Sequence, residues 1–298
     1  MPDGDSDILP AAMTSLSGQA LDRRLSELLA EDVGTGDVTT DWTVPAGARA
    51  SGRLIARSPC VVSGLPVARR TFELLDAALV WRNEAPAGSR AEAGSTLASL
   101  DGRARGLLTA ERLALNLLQR MCGIATATRR FVDAVAGTRC KILDTRKTAP
   151  GLRAFDRMAV ADGGGANHRS GLFDQVLIKD NHRRLAGGVS AAVRDARRRA
   201  PAGMKIEVEV ENEAELEEAL EASADIVLID NQTPETVARW TAVARRAPRP
   251  PVIEASGGIT LASVRAYAEA GADCVSVGAL THSVEAADIS LELEAESA

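Results

Sequence analysis

Between Lys141 and Arg184 the sequence gathers nine Lys/Arg against five Asp/Glu, a local balance of +4, together with two of its three histidines. The cations Arg146, Lys147, His168, Arg169 and Lys179 are interleaved with Gly and Asp. They do not recur every three or four residues, as the solvated face of a helix would. Arginine grips carboxylates with a two-pronged fork, and each such charged hydrogen bond contributes about 1.5–3 kcal/mol. Several around one small molecule imply a dicarboxylate or a phosphorylated sugar. The stretch from Asp144 to Lys179 is therefore expected to form the centre of an anion-binding active site. Gly163-Gly164-Gly165, just before Asn167-His168-Arg169, would let backbone and ligand approach closely, or it is simply a flexible loop. A histidine such as His168 taken alone is more often structural, and His282 is read that way.

A second set of residues carries the opposite charge. Lys205-Ile206-Glu207-Val208-Glu209-Val210-Glu211 alternates strictly. With a period of two, the valines face one side of a strand and the glutamates the other. Glutamates pointing into a barrel need cations, because an unpaired buried carboxylate is very costly. Lys147, Lys179 and a bound Mg2+ are the candidates. Mg2+ uses one or two carboxylates plus substrate oxygens, a role that suits Glu209 and Asp230. An edge strand with its acids in water is the other reading. Ser256-Gly257-Gly258-Ile259-Thr260 ends a strand and is expected to open a helix, a corner suited to phosphate, with Gly278 as its neighbour. A tight turn without a ligand would look the same.

These groups need a scaffold that brings them to one end. From Cys140 onward the texture is strand–helix alternation, with strands at Lys141–Leu143, Gln175–Ile178, Lys205–Val210, Ile226–Ile229, Val252–Ala255 and Cys274–Val277. Each strand is apolar and each carboxyl end polar, which is where α/β barrels keep their chemistry. Six repeats without a dinucleotide-type glycine fingerprint favour an α/β barrel over a doubly wound sheet. Asn212 with Glu215 and Thr233 with Pro234 read as helix starts. Upstream, a helix is expected near Leu21–Ala30, a β-rich stretch from about 50 to 106, and a long helix opening at Thr109. The expected divisions are a disordered tail (1–15), an N-terminal α+β, sandwich-like domain (16–114), an incomplete α/β barrel of about six strands (115–285) and a C-terminal segment (286–298).

Bulk properties narrow the field further. Among 298 residues, hydrophobic residues make up 45%, charged residues 26% and aromatics only 3%, so the core rests on aliphatic side chains. The net charge of −6 argues against general nucleic-acid binding. Cys60, Cys122, Cys140 and Cys274 have no metal-ligand spacing, and no secretory signal is recognised. No apolar run is long enough for a membrane span. A reducing cytoplasm is the expected location.

The ordered set of motifs resembles the quinolinate phosphoribosyltransferase family, also called nicotinate-nucleotide pyrophosphorylase (carboxylating), from about residue 20 to 290. The matches begin with Glu31-Asp32-Val33-Gly34-Thr35-Gly36-Asp37-Val38-Thr39-Thr40, Ala110-Glu111-Arg112, and Leu143-Asp144-Thr145-Arg146-Lys147-Thr148 with Pro150-Gly151-Leu152-Arg153. They continue through Asn167-His168-Arg169, Ile178-Lys179-Asp180-Asn181-His182, Glu207-Val208-Glu209-Val210-Glu211 and Asp230-Asn231. Glu254-Ala255-Ser256-Gly257-Gly258-Ile259 and Ser276-Val277-Gly278-Ala279 complete them.

That resemblance implies a decarboxylating transfer of phosphoribosyl from phosphoribosyl pyrophosphate to quinolinate, with Mg2+, giving nicotinate mononucleotide, pyrophosphate and CO2 for NAD synthesis. It implies that Arg112, Arg146, His168, Arg169 and Lys179 hold the two quinolinate carboxylates, with Thr145 also in contact with substrate. Arg112 would reach the neighbouring subunit's site in a homodimer. Lys147 would meet pyrophosphate. Glu209 and Asp230 would hold Mg2+ and the ribose hydroxyls, and Ser256, Gly257, Gly258, Gly278 and Ala279 would cradle the 5′-phosphate. Lys147, Glu209 and Asp230 would carry the catalysis. Asp156-Arg157-Met158 departs from an acidic–basic–Tyr triplet, and Gln232 stands where Met is usual. A paralogous phosphoribosyltransferase would alter the Arg/His set, and a silent binding barrel would lose cations or acids. Both sets are intact here.

Overall fold

A computed structural model describes residues 18–295, so the tail expected at 1–15 lies outside the described residues. The chain forms α1 (Gln19–Val33), α2 (Val38–Thr43), β1 (Arg49–Ala56), β2 (Cys60–Val61), α3 (Leu65–Leu75), β3 (Val80–Asn83), β4 (Arg90–Ala91) and β5 (Thr96–Arg103). The long α4 (Ala104–Ala134) leads to β6 (Lys141–Leu143), α5 (Arg153–Asp162), β7 (Val176–Ile178), α6 (Asp180–Ala186) and α7 (Val189–Arg199). Then come β8 (Ile206–Val210), α8 (Glu213–Glu221), β9 (Ile226–Asp230) and α9 (Pro234–Ala244). The last elements are β10 (Val252–Ser256), α10 (Val264–Glu269), β11 (Cys274–Ser276), α11 (Ala279–His282) and β12 (Ile289–Ala295). Two compact units result. One holds residues 18–129, 149–164 and 283–295, and the other holds Arg130–Thr148 with Gly165–His282.

The first unit rests on an antiparallel sheet ordered β12-β1-β5-β3, with β2–β4 as a separate pair. Leu54, Leu97, Leu100, Leu107 and Phe72 are fully buried in its core. A second cluster packs Leu25 of α1 against Val67, Met121, Ile124 and Phe155. Burying a side chain of this size contributes about 1.5–3 kcal/mol. Two expectations change here. The stretch expected to be β-rich also contains α3, which places Leu65, Val67, Ala68, Thr71 and Phe72 on one buried face and Pro66 in its first turn. Helix α4 starts at Ala104 instead of Thr109, because the backbone N–H of Arg103 already donates to the buried Asp76 carboxylate at 2.7 Å. Thr109 therefore sits inside the helix, where its hydroxyl donates to Asp37 Oδ2 at 3.0 Å. The expected boundary between residues 114 and 115 falls inside α4, and the 286–298 segment carries β12, which pairs with β1.

The second unit is the expected incomplete barrel. Its six parallel strands run in the order β6-β11-β10-β9-β8-β7 with helices between them. Among the described residues no ladder joins β6 to β7; the outer side of β6 has only a parallel bridge from Leu143 to Ala166. Strands covered on both faces must be apolar throughout, and Ile226–Ile229 is buried at every position. Strand β8 lies between β7 and β9, which rules out the edge-strand reading of its glutamates. Glu207 and Glu209 are both buried, and Glu211, just past the strand end, is exposed.

Candidate active site

The assigned residues of the second unit gather at the carboxyl ends of the parallel strands. Glu209 is buried near the end of β8, and Lys179, just after β7, places its Nζ 2.5 Å from Glu209 Oε2. The imidazole of His182 holds Lys179 in place, its Nδ1 accepting the Lys179 backbone N–H at 3.0 Å. Oxygen atoms of Glu209, Glu211 and Asp230 lie within 4.8 Å of one another. Burial, then the Glu209 charge, push the Asp230 carboxyl above its usual range, while Lys179 and the Asn231 amide pull it down. That amide donates to Asp230 Oδ2 at 2.6 Å. Arg183 donates to Glu211 at 3.3 Å and also to Glu215. Three carboxylates converging with oxygen-only donors fit a hard cation such as Mg2+.

The cationic half sits deeper. His168 and Arg169 are buried, Asp144 is fully buried, and its Oδ1 accepts the His168 backbone N–H at 2.7 Å. His168 Nδ1 accepts the Arg169 backbone N–H at 2.7 Å, and its Nε2 lies 3.2 Å from Glu207 and 3.5 Å from Glu254. Two influences on the ring oppose each other. Burial pushes the imidazole down, but the Glu254 charge and hydrogen bonds to Glu207 and Glu254 outweigh it and raise it to about 11. The Arg169 N–H, however, needs the lone pair on Nδ1. The direct contact therefore fixes the first proton on Nε2, facing the acids, and full charging requires the Arg169 amide to let go. Burial, then the like charge of Arg146, lower the Arg169 guanidinium, so these two arginines lie within each other's field. Guanidiniums held together in a partly dry place form a ready anion site.

The glycine corner lies beside the acids. Ser256 pairs in register with Asp230, and the Asn231 N–H donates to the Ser256 carbonyl at 2.9 Å. Asn231 adopts a left-handed backbone at φ 52. Gly257 (φ +96) lies so close that a Cβ there would sit 2.2 Å from Asn231 Oδ1. The expected helix opening at Thr260 is corrected: α10 begins only at Val264, because Thr260 and Ser263 first close a local turn through their side chains and backbone. A phosphate here would rest on turn backbone, not on a helix dipole. A Cβ at Gly278 would lie 3.1 Å from Lys147 Cδ, so the lysine stem runs along the glycine, with Ala279 opening α11 beside it. The Lys147 backbone is held from both sides, its N–H donating to Thr145 Oγ1 at 3.1 Å and its carbonyl accepting from Thr281 at 2.9 Å.

Comparisons with known proteins show the family. The family model described as quinolinate phosphoribosyl transferase, N-terminal domain, matches residues 37–122, and that for the C-terminal domain matches residues 124–292. The chain belongs to the quinolinate phosphoribosyl transferase family. It is 45% identical over 276 residues to the nicotinate-nucleotide pyrophosphorylase [carboxylating] of Mycobacterium leprae, covering 89% of this chain and 94% of that protein. It is 40% identical over 273 residues to a probable nicotinate-nucleotide pyrophosphorylase [carboxylating] of Bacillus subtilis, covering 92% and 93%. Among solved structures, NadC from Streptococcus pyogenes superposes with a TM-score of 0.90 at 37% identity, covering 95% of this chain and 100% of that one. The nicotinate-nucleotide pyrophosphorylase of Francisella tularensis gives 0.88 at 37% identity, covering 94% and 98%.

Within this member of the quinolinate phosphoribosyl transferase family, several contributors were not assigned a role from sequence. Gln232, noted only as a departure, donates from Nε2 to the carbonyls of Glu211 at 3.1 Å and Asp230 at 3.2 Å, which a methionine could not do. Gln175, Glu254 and Asn231 contact the site across strands; Asn231 and Glu254 fall within the matched motifs, but no local pattern shows these partners. In the Asp156-Arg157-Met158 triplet, where Met158 is the departure, the buried Asp156 carboxylate takes a two-pronged bond from Arg120 at 2.8 Å. Arg112 belongs to the first unit. It is exposed on α4 and lines a cavity of about 480 Å³ with Arg24, Glu31, Asp32, Asn116 and Arg120.

Proposed function

We propose that this chain transfers the phosphoribosyl group of phosphoribosyl pyrophosphate to the ring nitrogen of quinolinate. The products are nicotinate mononucleotide, pyrophosphate and CO2, as required for NAD synthesis. Family membership supports the reaction, and so do the relatives named nicotinate-nucleotide pyrophosphorylase. One observation in this chain carries the reading. A single parallel sheet presents at one end both a pair of guanidiniums, Arg146 and Arg169, and the carboxylate cluster of Glu209, Glu211 and Asp230. The first complements a dicarboxylate. The second complements ribose hydroxyls and a sugar carbon that becomes positive.

The chemistry follows from those roles. Arg146 and Arg169, with Lys179, hold the two carboxylates and aim the pyridine nitrogen at the anomeric carbon, while His168 supports the Arg169 backbone from within the protein. As the nitrogen–carbon bond forms and the bond to pyrophosphate breaks, the carboxylates of Glu209 and Asp230 stabilise the oxocarbenium-like sugar. Lys147 neutralises the departing pyrophosphate, and the Ser256-Gly257-Gly258 and Gly278-Ala279 backbones anchor the 5′-phosphate, with Thr145 fixing the Lys147 turn. Mg2+, held by Glu209 and Asp230, would add positive charge at the leaving group. The pyridinium nitrogen then draws in the electron pair left when CO2 departs, and a proton replaces it on the ring carbon. Positioning supplies most of the rate. We further infer that Arg112 completes the site of a second copy in a homodimer, and that the enzyme works in the cytoplasm. Among the described residues no helix is long and apolar enough to cross a membrane.

The test is to incubate purified protein with quinolinate, phosphoribosyl pyrophosphate and Mg2+ and to follow nicotinate mononucleotide by chromatography. Product with release of CO2 is expected. Equal turnover with nicotinic acid in place of quinolinate, without CO2, would assign a different substrate.

A further inference from the structure

The reaction leaves unexplained why a fully buried Glu207 stands beneath the arginines. Its Oε2 accepts from Gln175 Nε2 at 2.5 Å and lies 3.2 Å from His168 Nε2. His168 Nδ1 accepts the backbone N–H of Arg169, and Arg169 Nη1 donates to the Gln175 backbone carbonyl at 3.3 Å. The contacts close a circuit: Glu207 to His168, His168 to Arg169, Arg169 to Gln175, and Gln175 back to Glu207. Every member is at most 8% exposed. The chain between Arg169 and Gln175 is clamped as well, since Asp174 accepts from the backbone of Ser170 and Gly171 and from the Ser170 hydroxyl at 2.7–3.0 Å. Both nitrogens of His168 are thus engaged inside the protein. The guanidinium of Arg169 makes one hydrogen bond within this circuit, and its remaining N–H groups can serve an anion.

Resting on the function proposed above, we propose that Glu207 and Gln175 are positioning residues that preassemble Arg169, through His168, as the dicarboxylate anchor. Arg169 and Arg146 repel each other, so an arginine without this brace would swing away whenever no substrate is bound. The brace is paid for in advance by folding, and the substrate meets a fork already in place. Glu254, 3.5 Å from His168, supports the same ring from β10.

The test compares Michaelis constants for the two substrates in Glu207→Gln, Gln175→Met and the exchange Glu207→Gln/Gln175→Glu. Glu207→Gln is expected to raise KM for quinolinate at least tenfold and leave KM for phosphoribosyl pyrophosphate within twofold. The exchange, which restores an acid–amide pair across the same gap, is expected to recover most of that loss. Gln175→Met keeps volume and the backbone carbonyl, and carries the same expectation at smaller size if Glu207→Gln does not fold. A purely structural role would move both constants together with the melting temperature, and the exchange would not separate them. That result, or an unchanged quinolinate KM in Glu207→Gln and Gln175→Met while the wild type turns quinolinate over, overturns the inference alone. A wild type inert toward quinolinate overturns the function and this deepening with it.

Discussion

Lys179 pairs with Glu209, whereas Arg146 and Arg169 lie within each other's field. Replacing either arginine by alanine removes charged hydrogen bonds of about 1.5–3 kcal/mol each, or roughly 10- to 150-fold per bond. Arg146→Ala and Arg169→Ala are therefore expected to lose most quinolinate turnover while melting near the wild-type temperature, which steady-state kinetics and a thermal melt would check. A second expectation concerns Asp162 of the first unit, whose carboxylate accepts from Ser63 Oγ at 2.6 Å. Burial raises this acid above its ordinary value of 3.8 and the serine lowers it, with the rise prevailing. An acid raised on folding binds its proton more tightly in the folded state, so stability falls as pH climbs from 3.8 through the raised value. Asp162→Asn should flatten that fall in melts run across this window; an unchanged slope would assign it to other groups. The charged candidates could be picked out in sequence because their types, and for Lys179, Glu209 and Asp230 their strand-end positions, are local facts. The roles of Gln175, Glu254 and Asn231 could not, because they arise only when separate strands pair.

The turn after β10 gives a test at the level of the element. Gly257 and Gly258 both have positive φ, but they differ in space. A Cβ at Gly257 would press on Asn231 Oδ1 at 2.2 Å and on its backbone N at 2.7 Å, whereas at Gly258 it would meet nothing within 4 Å. Gly258→Ala should cost only the left-handed penalty of about 1–2 kcal/mol. Gly257→Ala should cost more and should also raise KM for phosphoribosyl pyrophosphate, since Asn231 cannot yield without moving Asp230. Denaturant unfolding and kinetics on both variants would show the contrast, and equal behaviour would disprove the packing argument. All six barrel strands were readable to within a residue or so at each end, because apolar runs with polar ends are a strong signal. Helix α3 was hidden within a Gly-punctuated β-rich stretch. The start of α10 was misplaced because a turn closed by Thr260 and Ser263 intervenes, and its sequence reads like a helix cap.

At the scale of the whole molecule, the boundaries expected from sequence were contiguous, whereas the units are not. The chain enters the first unit three times, at 18–129, 149–164 and 283–295. Linear patterns cannot show this, since β12 looks like a C-terminal appendage until it pairs with β1 from Ala50↔Ala295 to Ala56↔Ile289. Its Ile289 is buried, and the Ile289 carbonyl accepts from Gln119 Nε2 at 2.6 Å. Truncation before Ile289 is expected to speed amide exchange along β1 while β8 and β9 keep their protection, as hydrogen–deuterium exchange would reveal. Uniform protection after truncation would make β12 dispensable.

That late strand also sets a schedule for synthesis. Arg57, just after β1, bonds Ser290 of β12 across 233 residues. At about 5–20 residues per second, a ribosome needs roughly 10–50 s to deliver that stretch. Throughout the interval one side of β1 on the nascent chain is an unfilled template for any passing strand. Arg49, Arg53 and Arg57, exposed along and just beyond β1, place charge on that template and guard it until its partner emerges.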